Sequence, residues 1–295
     1  MLGQLTDTEP LSASGIQSYV LRKAFSISKT WLSDSHQNIQ HLAVVGDIDV
    51  LSPDSTEVIL MMDDVGVKAQ KPHKVIARQA EDAKRLDTTV ILVQTPTGQY
   101  EYATSGIDKE GNTIYPVNQA IIDKVVDLHG IDKPLPIVAI TDGARSIRNT
   151  LHLIFGMTVC IILDWYHLQH KVKNLMSMIA TNKEDKILYI NDLNSLLWNG
   201  EVDEAIIYLD DMRRVKNQAK HKELRDYLEK HKDEIINYST RKANGKTIGS
   251  GRGEKGNDLI VAHRQKKKGM AWSRKGSSAL AILKTYRLNA KSIAA

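Results

Sequence analysis

The chain has 295 residues, of which 42% are hydrophobic and 25% charged, so it can bury a core and its composition excludes wholesale disorder. Its apolar runs, such as residues 159–163, are too short to span a bilayer, and its first residues lack the basic start and apolar stretch of a secretory peptide. The single Cys160 excludes a disulfide framework. We therefore expect a cytoplasmic protein with no membrane partner. Its net charge is a modest +5.

The first part of the chain predicts one weak helix followed by strands. Residues 1–55 show a faint helical pattern around residues 16–24, and we expect a short helical leader there. Residues 57–67 form an apolar run that ends in two acids and a glycine, which predicts a buried strand that enters a loop. A second apolar run at residues 88–95 and an alternating run at residues 99–106 complete a predicted β-meander.

Helices and strands then alternate. Apolar residues at helical spacing predict a helix that ends at Gly130, and residues 136–141 predict a buried strand that ends before Asp142. A helix up to Gly156, a fifth strand that ends at Asp164 and a further helix over residues 168–179 follow. The predicted order β-β-β-α-β-α-β-α is that of an RNase H-like fold that still lacks its last helix.

The remaining residues predict helices. Residues 181–240 show helical patterns alone, and the segment 254–272, in which Leu259, Ile260 and His263 would share a buried face, predicts the missing helix. The predicted fold is therefore α/β, an RNase H-like mixed five-stranded sheet flanked by helices, with an all-helical insertion before the last core helix. Its predicted segments are a leader (1–55), the first part of the core (56–180), the insertion (181–247) and a final core helix with a basic tail (248–295).

Carboxylates stand at matching ends of these predicted elements. Asp63 and Asp64 end the first strand, Asp142 ends the fourth and Glu254 begins the last helix. The two strands are neighbours in the predicted sheet, so their terminal carboxylates can converge, and converging carboxylates favour Mg²⁺ or Mn²⁺. Three such groups predict a two-metal site that activates a water or a 3′-hydroxyl. The alternative is that each Asp only forms a turn by accepting hydrogen bonds from nearby amides.

Four segments resemble a known family: MMDDVGVKAQ, ITDGARSIRNTL, LDWYHL and IGSGRGEKGNDLIVAHRQKKKGMAWS. They are similar to segments of bacterial insertion-sequence transposases with a DDE catalytic triad, over about residues 57–290. The resemblance implies that Asp63, Asp142 and Glu254 are the catalytic ligands of two Mg²⁺ or Mn²⁺ ions, with Asp64 as the alternative first ligand. It also implies hydrolysis at the element's terminal repeats, strand transfer to target DNA, and a homo-oligomer on the DNA of the nucleoid.

The resemblance includes a D-x-x-H motif and one departure. Asp164 and His167 form the motif, to which the family assigns a supporting role. Together with His170 they suggest a zinc site as an alternative, although structural zinc needs four ligands and no partner thiol is near. The family normally has a sizeable N-terminal DNA-binding region, whereas only about 50 residues precede the core here. The leader is therefore interpreted as the remnant of such a region.

The C-terminal residues are strongly basic. From residue 241 onward, 14 Lys and Arg stand against two acids, and such a stretch attracts a phosphate backbone. We expect DNA contacts from the basic residues that flank Trp272, whose ring would stack on an unpaired base. These basic residues are Arg264, Lys266, Lys267, Lys268, Arg274 and Lys275. The alternative is a solvated basic surface beside a core tryptophan.

Two other functions fit the same residues. An RNase H-like nuclease or Holliday-junction resolvase would use the carboxylates for hydrolysis alone, so strand transfer distinguishes it from a transposase. An inactive transposase remnant would bind DNA without cutting it. The retention of all three acids speaks against the remnant, while the short leader speaks for it.

Overall fold

The structure is a computed structural model that describes residues 12–71, 84–212 and 214–292. Residues 1–11 of the predicted leader and residues 293–295 of the predicted basic tail lie outside these ranges. Within the described ranges, none of the helices combines the length and the apolar character needed to cross a bilayer.

Strands dominate the first half of the described chain, and helices dominate the second. The elements up to the second helix are α1 (Ala13–Ser33), β1 (Val58–Lys68), β2 (Arg85–Gln94), β3 (Tyr100–Ala103), β4 (Gly106–Ile107), β5 (Thr113–Tyr115) and α2 (Val117–His129). Alternating strands and helices follow: β6 (Ile137–Thr141), α3 (Arg145–Phe155), β7 (Cys160–Leu163) and α4 (Trp165–Ile179). The next helices are α5 (Lys183–Trp198), α6 (Val202–Asp210), α7 (Gln218–Lys230), a 3₁₀ turn (Lys232–Glu234) and α8 (Tyr238–Ala243). The last elements are α9 (Gly251–Asn257), a π turn (Asp258–Ala262), α10 (His263–Gln265) and α11 (Arg274–Ser292).

The main sheet has five strands in the order β3-β2-β1-β6-β7. β1 pairs in parallel with β6, and β6 in parallel with β7, whereas β2 and β3 are antiparallel. Every residue of β6 is buried, as expected for a central strand with both faces covered. The predicted α/β class with a mixed five-stranded sheet flanked by helices is therefore confirmed. β4 and β5 form a separate small hairpin that the sequence analysis did not predict.

The chain divides into two compact units built from separated stretches. The first contains Met1–Gln40, Asp63–Gly130 and Arg252–Ala295, and the second contains His41–Met62 and Ile131–Gly251. In the first unit, the N-terminal helix α1 packs against α11 and the small hairpin around a buried apolar cluster: Ala24, Ile27, Ile107, Ala279 and Ile282. The described part of the predicted leader thus contributes to a hydrophobic core.

The second unit encloses a buried ion-pair network. Arg241 is fully buried and donates to both carboxylate oxygens of Glu57, at 2.8 and 2.7 Å. Its guanidinium also donates to the carbonyls of Val50 and Thr247, and Lys246 donates to Glu57 at 2.7 Å. Arg241 and Lys246 were counted in the basic C-terminal stretch, but both neutralise a buried acid. They are structural cations.

The end of β1 differs from the prediction. Asp63 and Asp64 lie inside the strand, which continues to Lys68, and not in a loop after it. The pairing of β1 with β6 stops at Met61, but β2 remains beside β1 in the sheet. Farther along, the amide of Trp272 donates to the carbonyl of Lys68 at 2.9 Å. The strand thus continues past the acids to Lys68, beyond the last residue that pairs with β6.

The predicted last helix is also interrupted. α9 passes into a π turn, in which the amide of His263 donates to the carbonyl of Asp258, and the helix ends at Gln265. A π turn inserts one residue and rotates the following side chains. His263 is therefore exposed, contrary to the prediction, while Ile260, Val261 and Gln265 are buried.

Candidate functional site

Two acids follow the neighbouring parallel strands β6 and β7 of the second unit. Thr141 pairs with Leu163, so Asp142 and Asp164 are the next residues of their strands. Asp142 is half-buried, and its Oδ1 accepts a hydrogen bond from the amide of Ala144 at 2.8 Å. The turn-forming role that was the alternative for Asp142 is thus present. This hydrogen bond occupies one oxygen of the Asp142 carboxylate.

Asp164 has a saturated environment. Its side chain is fully buried, and Oδ1 accepts from the amide of Tyr166 at 2.6 Å and from that of His167 at 3.3 Å, which caps α4. Oδ2 accepts from the amide of Ser250 at 2.7 Å and from its hydroxyl. Burial raises the pKa of Asp164, but the hydrogen bonds from His167 and Ser250 lower it by more, so the pKa lies below the usual 3.8.

The D-x-x-H motif places its two side chains together. His167 Nδ1 lies 3.4 Å from Asp164 Oδ2. His170, in contrast, is exposed, and in the part of the chain that the structure describes it belongs to no group of three side chains able to ligate one metal ion. The geometry gives no support to the alternative zinc site of Asp164, His167 and His170.

In the first unit, Asp63 and Asp64 have different partners. Asp63 accepts a hydrogen bond from the side-chain amide of Asn257 at 2.5 Å, and Asp64 accepts one from the hydroxyl of Thr89 at 2.5 Å. Consecutive side chains of a strand point to opposite faces of the sheet. Asp63 therefore faces helix α9, which carries Glu254, and Asp64 faces away from it.

Helix α9 approaches the sheet closely near its end. A Cβ atom on Gly256 would lie 2.9 Å from Leu92 Cδ1 and 3.0 Å from Tyr102 Cε1, so only glycine allows this contact without a shift of its neighbours. The close approach buries Asn257 beside Asp63, whereas Glu254 in the first turn is exposed. The glycine-rich stretch thus serves packing as well as the turn before the helix.

Asn257 is a site residue that the sequence analysis missed. It follows Glu254 by three residues, the spacing of side chains on one face of a helix, and that spacing was the available clue. Its Oδ1 is buried and has no hydrogen-bond partner among the described residues. A buried oxygen in this state is costly, and such atoms mark places where an ion or water is expected.

The predicted DNA-contacting residues lie on an exposed surface of the first unit. Arg264, Lys266, Lys267, Lys268, Arg274 and Lys275 are all exposed. Trp272 is half-buried, and its indole N–H donates to the carbonyl of Gln265 at 3.0 Å. The guanidinium of Arg264 lies 5.6 Å from the centre of its ring. Trp272 thus anchors the segment between α10 and α11, with Arg264 close to its ring.

Comparison with known proteins assigns the chain to a family. A search of curated proteins found no match. A family model described as "Uncharacterised protein family (UPF0236)" matches residues 120–294, which is more than half of the chain and includes Asp142, Asp164 and Glu254. The chain therefore belongs to the UPF0236 family.

Proposed function

We propose that this protein is a DNA transposase with an RNase H-like core, in which Asp63, Asp142 and Glu254 are the catalytic carboxylates. The observation that carries the proposal is the hydrogen bond between Asp63 and Asn257, because it ties the acidic stretch of β1 to the helix that carries Glu254. The residue order of the strands adds to it. Met61 pairs with Ile140, and in the sequence Asp63 and Asp142 each follow a member of that pair by two residues.

The residues fit a hard divalent cation. All three proposed ligands are carboxylates, the oxygen donors that Mg²⁺ and Mn²⁺ prefer. The Oδ1 of Asn257, for which the described ranges offer no hydrogen-bond partner, is an acceptor that a cation or its hydration water would satisfy. Asp63 is the better first ligand than Asp64, since the carboxylate of Asp64 is directed to Thr89.

The proposed roles follow from the chemistry of phosphodiesters. Two bound ions would polarise the scissile phosphate and lower the pKa of the attacking water or 3′-hydroxyl. Asp63, Asp142 and Glu254 would hold the ions, and Asn257 orients the carboxylate of Asp63 through its amide. The exposed Lys266, Lys267 and Lys268 would neutralise backbone phosphates of the DNA. By its resemblance to insertion-sequence transposases, the protein would act as a homo-oligomer on nucleoid DNA in the cytoplasm.

The proposal is tested with labelled DNA that carries the element's own flanking repeats, in Mg²⁺ or Mn²⁺. The wild-type protein is compared with Asp142→Asn and, as a matched control, with Asp132→Asn, which changes an exposed acid in a loop. We expect wild type and Asp132→Asn to cleave and join the DNA, and Asp142→Asn to do neither. Nicking without joining would favour a hydrolytic nuclease, and DNA binding without cleavage in any variant would indicate an inactive remnant.

A further inference from the structure

A buried polar network in the second unit joins helix α3 to the helical segment that follows α6. The carboxylate of Glu234 has Arg148 Nη2 at 2.6 Å from one oxygen and His231 Nδ1 at 2.6 Å from the other. Arg148 Nη2 also lies 2.9 Å from His231 Nδ1. The His231 side chain is 1% exposed and that of Glu234 12% exposed, so both are held away from solvent. A charge in such a place needs partners, and here both oxygens have them.

This network lies directly against the turn that contains Asp142. Gly143 has a φ of 83°, in the left-handed region, and a Cβ there would lie 2.6 Å from His231 Cε1 and 2.9 Å from Leu163 Cδ1. The imidazole of His231 is thus packed on the backbone of the turn. Arg148 lies in the first turn of α3, immediately after it. The network therefore contacts the turn through His231 and restrains helix α3 through Arg148.

Tyr227 extends the same network towards the acids. Its ring centre lies 4.6 Å from that of His231. Burial raises the pKa of Tyr227, and the nearby negative charges of Asp142, Glu234 and Asp164 raise it further. The phenol consequently keeps its proton and adds no negative charge beside Asp142. Tyr227 belongs to α7, Glu234 belongs to the 3₁₀ turn after it, and His231 lies at the junction of the two.

We propose that Glu234, together with Arg148 and His231, is a positioning network that fixes the orientation of the Asp142 carboxylate. The inference rests on the proposed function in so far as Asp142 holds a metal ion. It gives the helical segment after β7 a definite task, since the 3₁₀ turn and its junction with α7 supply two of the three side chains. Glu234 is a positioning residue and not a catalytic one, because it acts through His231, which packs on Gly143, and through Arg148.

The mechanism of positioning is a restraint on the backbone. Asp142 Oδ1 is bound to the amide of Ala144, so any motion of the turn moves the carboxylate. Glu234→Gln retains the shape of the side chain but removes the charge that holds Arg148 and His231. We expect the amides of residues 142–147 to exchange faster with deuterium in this variant. Because outer-shell partners of metal ligands typically contribute about 10- to 100-fold in metal affinity, the Mn²⁺ concentration for half-maximal cleavage should rise by about that factor.

The experiment combines hydrogen exchange, followed by mass spectrometry, with the Mn²⁺ dependence of DNA cleavage. Wild type is compared with Glu234→Gln, with Arg148→Lys, which keeps the charge but loses the planar fork, and with Glu229→Gln as the control on the exposed side of α7. Exchange in α5 reports global unfolding. The expected result is faster exchange confined to residues 142–147 in Glu234→Gln, a smaller effect in Arg148→Lys, and wild-type behaviour in Glu229→Gln.

The outcomes separate this inference from the proposed function. Unchanged exchange at residues 142–147 in both network variants would overturn the positioning role, whatever the activity. Faster exchange with an unchanged Mn²⁺ requirement would reduce the network to a structural element and overturn the link to Asp142. Faster local exchange in a protein whose wild type cleaves no DNA would leave the restraint on the turn supported and reject the proposed function alone.

Discussion

The surroundings of Asp63 and Asp164 differ in burial and in the hydrogen bonding of the neighbouring side chains. Asp164 is fully buried, caps helix α4 and accepts hydrogen bonds on both oxygens from residues of its own unit. Asp63 is half-buried and also accepts hydrogen bonds on both oxygens, from the amide of Asp64 and from Asn257, but Asn257 has a buried oxygen without a hydrogen bond among the described residues. Both acids belong to segments for which the sequence analysis predicted a place in the candidate site. Asp164 is enclosed in the folded structure, while Asp63 lies beside a side-chain oxygen of Asn257 that can still accept a hydrogen bond.

The comparison teaches how to separate structural from reactive acids. A carboxylate that has all its partners stabilises the fold and has little left to offer a ligand. A carboxylate next to an unsatisfied acceptor stores a cost that a cation can remove. We therefore expect substitutions at Asp63 to affect chemistry with little effect on stability, and substitutions at Asp164 to do the reverse.

The largest expected effect concerns Asp63. Asp63→Asn removes a charge that would hold a metal ion worth several kcal/mol to the transition state, so Mn²⁺-dependent nicking should fall by about 10³-fold or more. Asp64→Asn is the matched control, since Asp64 faces Thr89 on the other side of the strand, and it should keep at least about a tenth of the rate. Initial rates on labelled DNA provide the measurement. If Asp64→Asn is the inactive variant, the assignment of the first ligand is reversed.

The second prediction concerns Arg241, which, like Asp164, is fully buried with its hydrogen-bonding partners. Arg241→Met leaves the buried carboxylate of Glu57 with Lys246 as its remaining cation, and breaking a buried pair costs about 3–5 kcal/mol of unfolding free energy. Equilibrium unfolding in urea measures the loss. The triple variant Arg241→Met/Glu57→Leu/Lys246→Met should recover part of it, because all three charges of the network are then removed together. A loss below about 1 kcal/mol in the single variant would show that the network contributes little.

The third prediction uses the low pKa of Asp164. A group whose pKa is lower in the folded than in the unfolded state contributes stability above its unfolded pKa, and this contribution disappears as the pH falls through the folded pKa. Asp164→Asn should therefore lower the unfolding free energy by about 2 kcal/mol at pH 7, the value expected for hydrogen bonds to a charged group. The difference from wild type should shrink below about pH 4, near the usual value of 3.8. A difference that stays constant down to pH 3 would contradict the assigned cause.

The smallest effect on stability is expected at the exposed lysines. Lys266→Ala/Lys268→Ala should change the unfolding free energy by less than about 0.5 kcal/mol, because both side chains are exposed. The affinity of this double variant for double-stranded DNA should fall. The slope of log K against log salt concentration should become less negative by about 0.9 for each phosphate that the protein no longer neutralises. Fluorescence anisotropy at several salt concentrations measures both. Lys133→Ala/Lys183→Ala removes the same charge elsewhere and should bind DNA like wild type.

The sequence predicted best what local periodicity determines. The apolar runs of β6 and β7 end where Asp142 and Asp164 begin, and the structure keeps these ends because the strands are buried. The acidic stretch of β1 was misjudged because its partners, β2 and the backbone of Trp272, are distant along the chain. The spacing of apolar residues within one segment does not reveal pairing with distant segments.

Features of the site that depend on nonlocal contacts were also beyond the sequence. Arg241 is 184 residues from Glu57, so the sequence analysis counted it in the basic C-terminal stretch and did not predict a buried ion pair. The network of Glu234 with Arg148 is similarly invisible in a helical pattern. Asn257 is different, since its helical spacing from Glu254 was readable. Its contact with Asp63 was not.

The π turn at Asp258–Ala262 has a consequence for the evolution of this chain. Loss of one codon within this stretch would restore an ordinary helix without shortening any loop, and so it would seem a harmless deletion. The deletion would rotate the residues that follow the π turn, up to Gln265, by about 100° about the helix axis. Gln265 would leave the core, and Arg264 would turn away from Trp272. We expect homologous sequences to vary in composition here but to keep the length of this stretch unchanged.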